Sequence, residues 1–123
     1  MNVALWIMQV IVAMVFLFSA VTKGTWSKEK LVAKGQTGVG PVPLAAVRFV
    51  ALAELLGVLG LLLPWAMDVA PVLTPLAAIG LAIIMVGAAL IHLRLGEPRT
   101  VLGNAAILIL CVVVASGRLA HLG

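Results

Sequence analysis

An all-α, membrane-embedded four-helix bundle is the fold this sequence predicts, on three observations. Residues of the AVILMFWYC set fill 64% of its 123 positions and charged residues only 10%, whereas soluble domains are nearer half apolar and a quarter charged. The apolar residues gather into four runs, each close to the roughly 20 helical residues that cross a bilayer core. Helix-breaking residues stand between the runs. The length accommodates one membrane domain over residues 1–123.

The first span is expected at about residues 3–22, with Gly24 after it. It has no Lys or Arg ahead of its apolar core, and Phe18 suits poorly a cleavage after Ala20. It therefore reads as a retained helix and not as a signal peptide. The piece SKEKLVAK that follows is either a solvated basic loop or a short interfacial helix with Ser27 as its N-cap. Pro41 and Pro43 precede the second span, expected at 44–63 and ended by Pro64. Pro71 opens the third, at 72–92, and Gly96 with Pro98 separates it from the fourth, at 100–117. Four runs of full length favour four crossings over a pair of short helices dipping into the membrane.

Seven of the eight basic residues fall on one side of this arrangement: Lys23, Lys28, Lys30, Lys34, Arg48, Arg94 and Arg99. The turn between the second and third spans carries only Asp68, and Arg118 falls in the tail after the fourth. The positive-inside rule makes the basic side cytoplasmic and both termini external. This topology accounts for the net charge of +4 without a nucleic-acid partner. Trp6, Trp26 and Trp65 all lie at span ends, where interfacial aromatics belong. Cys111 is the single cysteine, so an internal disulfide and a CxxC redox pair are both excluded, and within an apolar segment it reads as a small hydrophobe.

Polar residues inside the spans are the candidates for function. An ionised side chain at mid-membrane costs about 2.5–3.5 kcal/mol on insertion scales, so Glu54 should face the bundle interior. Arg48 lies about 6 Å into the second span and Glu54 about 15 Å. They are about 120° apart around the helix, too far round to form a ready-made pair without a water or a third residue. His92 closes the third span, Asn104 begins the fourth, and Ser19 and Lys23 close the first. All six belong to the same half of the bundle, with Gln9 the one notable polar side chain in the other half. Their convergence reads either as interhelical hydrogen-bonding glue or as a site in which Arg48 and His92 set the charge of Glu54. Gly57 with Gly60 and Gly80 with Gly87 are spaced to let helices pack closely, as are Ala78 and Ala82.

The run RFVALAELLGVLGLLLP resembles the second helix of the DoxX-like family of small bacterial membrane proteins. PLAAIGLAIIMVGAALIHLRLGE, the Asn104 region and FLFSAVTK extend the resemblance over nearly the whole chain. That family takes its name from a subunit associated with a thiosulfate-oxidising, quinone-reducing enzyme of archaea, and related eukaryotic proteins look like receptor-assembly or cargo factors. The resemblance implies at most a subunit of a quinone-linked oxidoreductase. No CxxC, no His pair at metal or haem spacing and no nucleotide loop points to autonomous redox chemistry. Small multidrug exporters of similar size carry their essential Glu in the first helix, which has no acid here. Two functions follow as expectations. One is an accessory subunit that binds a quinone or lipid near Glu54. The other is an assembly or scaffold factor with a purely structural polar cluster, acting through a membrane partner or a second copy of itself.

Overall fold

The computed structural model describes residues 2–122. Four long helices carry the fold: α1 (Asn2–Thr25), α3 (Leu44–Met67), α4 (Leu73–Arg94) and α5 (Pro98–Leu122). Between the first two lie the short α2 (Lys28–Ala33) and a 3-10 turn, Thr37–Val39. All four long helices are long and apolar enough to cross a membrane, which makes this a multi-pass membrane protein. Contacts run α1 to α3, α3 to α4, α4 to α5 and α5 back to α1, so the four close a ring. Its axis is filled by Val12, Ala13, Phe16, Val58, Leu61, Ala78, Leu81, Cys111, Val114 and Ala115. The outside is equally apolar: Val3 and Phe49 are each 72% exposed and Leu102 70%. Such a surface belongs in lipid.

Each helix overruns the span expected for it, and the reasons are local. Pro64 does not end α3, which continues to Met67. A proline inside a helix strands the carbonyl four residues earlier, here that of Gly60. Thr74 Oγ1, on α4, donates to that oxygen at 3.1 Å and takes the place of the lost amide. The helix then stops at Asp68, whose backbone is left-handed at φ 53°. Pro75 lies in the first turn of α4, where an amide would lack a partner inside the helix anyway. Pro98 is likewise the first residue of α5.

SKEKLVAK resolves as a helix. Ser27 Oγ accepts from the Lys30 amide at 3.2 Å, as an N-cap should, and Leu31 is wholly buried beneath it with Val39 and Val47. Of the glycines expected to pack, Gly57 and Gly60 do so: an added Cβ would lie 2.6 Å from Leu81 Cδ2 and 3.1 Å from Ala77 Cβ. Gly80 and Gly87 do not, since nothing stands within 4 Å of the position a Cβ would take. Instead Gly117 makes the close approach between α5 and α1, 2.6 Å from Leu5 Cδ2 on the same measure.

Candidate functional site

Glu54 faces the bundle interior and is 0% exposed, as its cost in lipid demands. Ser19 Oγ, on α1, lies 3.0 and 3.1 Å from its two carboxylate oxygens and donates to them. Lys23 Nζ, one helical turn further along α1, is 3.4 Å from Oε1. The Ser19 and Lys23 spacing puts both on the face of α1 that meets α3. A buried carboxylate is thus matched by one cation and one hydroxyl, the arrangement a low-dielectric site requires.

Arg48 departs from expectation. It does not reach Glu54. Its Nη1 donates to the Lys23 carbonyl at 2.6 Å and to the Trp26 carbonyl at 3.0 Å. Carbonyls in the last turn of a helix have no amide ahead of them, and a cation there also suits the helix dipole. Arg48 therefore caps α1 and touches the Glu54 cluster only through the backbone of Lys23. The separation of Arg48 and Glu54 around α3 is the physical reason.

His92 likewise serves a different carboxylate. Its Nδ1 lies 2.7 Å from Glu97 Oε1, and Thr37 Oγ1 donates to both Glu97 oxygens at 2.8 Å. The backbone explains the pairing. Gly96, at φ +72°, ends α4 in a Schellman turn: its amide donates to Leu93 O at 3.2 Å and the Glu97 amide to His92 O at 3.0 Å. That turn folds Glu97 back onto the side chain of His92. The His92 hydrogen bond first, then that of Thr37, holds the Glu97 carboxyl below its ordinary value of 4.5. Gly38 packs against the same ring, where a Cβ would be 2.9 Å from Nε2. Gln36 Nε2 donates to Thr22 Oγ1 at 2.7 Å and ties the loop to α1. Asn104 joins neither group: its Nδ2 is buried with no hydrogen-bond partner among the described residues.

These pieces surround a cavity of about 460 Å³. Phe16, Val50, Ile84 and Met85 supply apolar wall, Glu54, Ser19 and Lys23 line one side, and His92 and Asn104 another. Gly35, Gln36 and Gly38 line it at the Lys-rich end, and Gly87, without a packing role, contributes to its surface. Of the six expected site residues, Ser19, Lys23, Glu54, His92 and Asn104 line this space, and Arg48 stands behind it. Glu97, Thr37 and Gln36 were not singled out from the sequence. The Gly96 helix end was the available signal, because a glycine C-cap returns the next residue to the last turn.

A second polar cluster lies at the opposite end, and Arg118 is its centre. The residue is not in a tail but inside α5 and 0% exposed. It donates to Gln9 Oε1 and, at 2.6 Å, to Asn2 Oδ1, and Gln9 Nε2 donates to Leu61 O at 2.9 Å. The guanidinium carbon lies 5.3 Å from the Trp6 ring centre and 4.5 Å from that of Trp65. Neutral dipoles and aromatic faces thus hold the cation. The fourth helix was expected to end at Gly117, which placed its neighbour Arg118 outside.

Among curated proteins and solved structures, no match was found. The sequence does match the DoxX-like family over residues 7–114, which takes in α3 and α4 whole, most of α1 and α5, the Glu54 cluster and the His92 helix end. The chain therefore belongs to the DoxX-like family.

Proposed function

We propose that this DoxX-like membrane protein is an accessory subunit that binds a small, largely apolar molecule, a quinone or a lipid, in the cavity beside Glu54. The observation that carries the reading is a cavity of about 460 Å³ whose walls are apolar and whose polar groups are few and convergent. Small-molecule sites have this anatomy and run to about 300–1,000 Å³. Glu54 and Lys23 offer an acceptor and a donor to a ligand hydroxyl or carbonyl, and their opposite charges suit a neutral ligand. In the same proposal the Lys-rich end faces the cytoplasm of a bacterial inner membrane.

The test is retention of a decyl-tailed benzoquinone and of bilayer lipid by the purified full chain, read by extraction and mass spectrometry. A Glu54→Leu/Lys23→Met double variant removes both charges together, which often leaves a fold intact. It should retain helicity and melting temperature but lose affinity about tenfold or more, the equivalent of about 1.4 kcal/mol. Unchanged retention in a folded double variant would refute the site.

The satisfied hydrogen bonding of Glu54 by Ser19 and Lys23 favours a second reading, a scaffold factor held together by that cluster. Under it, wild type and double variant retain no small molecule, and a membrane protein partner co-purifies with both.

A further inference from the structure

Among the described residues, one buried polar group lining the cavity is left unmatched by the protein. Asn104 projects from the first third of α5, lines the cavity, and buries its Nδ2 with no acceptor among the described residues. Its neighbours do not compete for it. Glu54 is engaged by Ser19 and Lys23 across the α1–α3 contact. Glu97, the other carboxylate nearby, is taken by His92 and Thr37. A buried amide donor without an acceptor carries the full desolvation penalty of the group, and an acceptor on a molecule entering the cavity would relieve it.

From this we infer that Asn104 is a specificity-determining residue, reading a carbonyl oxygen on an uncharged apolar ligand. The inference rests on the ligand-binding reading above and adds the chemical class. Asn104 Nδ2 has a proton to give and needs an acceptor. Charge balance argues against an anion: Lys23 is already opposed by Glu54 at 3.4 Å, and Asn104 itself is neutral. Apolar wall on α3 and α4 takes the remainder of the molecule. Two sources supply such an oxygen, a quinone ring and the ester of a lipid, and both present a carbonyl on a hydrocarbon body.

Three probes distinguish them with the full chain in detergent: a decyl-tailed benzoquinone, dioctanoylglycerol, and decylbenzene, which has ring and tail but no oxygen. Binding is read by competition against a lipophilic fluorescent reporter. At least one carbonyl probe should bind about tenfold or more tightly than decylbenzene, the discrimination a buried unpaired donor provides. Which probe it is names the source. Asn104→Leu should remove that preference, so that the carbonyl probes bind no more tightly than decylbenzene, and should raise the melting temperature of the ligand-free protein by deleting the orphaned amide. Asn104→Gln should restore part of the preference. A folded Asn104→Leu protein that keeps the carbonyl preference overturns the inference and leaves the cavity as a binding site. Saturable binding of none of the three probes by wild type overturns the binding reading itself.

Discussion

A methyl group added to Gly57 would stand 2.6 Å from Leu81 Cδ2, while one added to Gly80 would meet nothing within 4 Å. Leu81 is 1% exposed and packed in the core, so it cannot swing clear. Gly57→Ala should therefore cost about 1–3 kcal/mol through overpacking. Gly80→Ala should be neutral or stabilising by up to about 1 kcal/mol, because it only stiffens an exposed helix position. Thermal unfolding of the two variants in one detergent checks this, and equal losses would contradict the assigned packing. Both glycines carry the small-residue spacing, so the sequence marked both. What it could not show is which way each faces, because α3 and α4 are apolar nearly all round. Glu54 was legible for the opposite reason: a lone carboxylate in hydrocarbon has only one tolerable direction. Its partners were harder, since Arg48 is attracted equally by a carboxylate and by the bare carbonyls of a helix end.

Helix ends account for most of what the loops do here. Arg48 caps α1, Ser27 caps α2, and the glycine turn after α4 sets Glu97 on His92. The last of these joins two loops, because Thr37 reaches the same carboxylate from the segment that lines one end of the cavity. The folded-state pKa of Glu97 is lowered from 4.5, first by His92 and then by Thr37. The contribution of this junction is therefore fully present above 4.5 and is lost as pH falls through the lower folded-state value. Amide hydrogen exchange of residues 35–42, corrected for the intrinsic effect of pH, should accelerate over that fall in wild type. Glu97→Gln should exchange faster already at neutral pH and show no further acceleration on acidification. Slow exchange in the variant at both pH values would show that the junction does not hold the segment. Ser27 was readable as a cap from one residue and the helix formers after it. Pro64 misled because the signal that overrides it, the Thr74 hydroxyl, arrives from another helix.

Burial of Arg118 sharpens the charge asymmetry of the bundle. Seven basic residues lie at or near the end where α1 and α4 finish, and the eighth is 0% exposed between Trp6 and Trp65. The opposite end thus presents no Lys or Arg to solvent among the described residues, and Asp68 is exposed there. Composition alone was enough to place these helices in a membrane, and loop charge alone ranks the two orientations. Neither needed knowledge of which faces touch. If short basic loops stay on the side of synthesis, the Lys-rich end is cytoplasmic and Asp68 external. Cys111 is fully buried in the core as a small hydrophobe, so Cys111→Ala gives a background free of native thiol without a large loss of packing. In that background a membrane-impermeant maleimide should label Asp68→Cys in intact cells, and Lys30→Cys only after permeabilisation. The cation of Lys30 is removed in the second variant, but six of the seven basic residues remain to hold the orientation. Labelling of Lys30→Cys from outside, with Asp68→Cys protected, would turn the protein over in the membrane. The segment 35–42 and the end of the cavity that it lines would then face the exterior and not the cytoplasm.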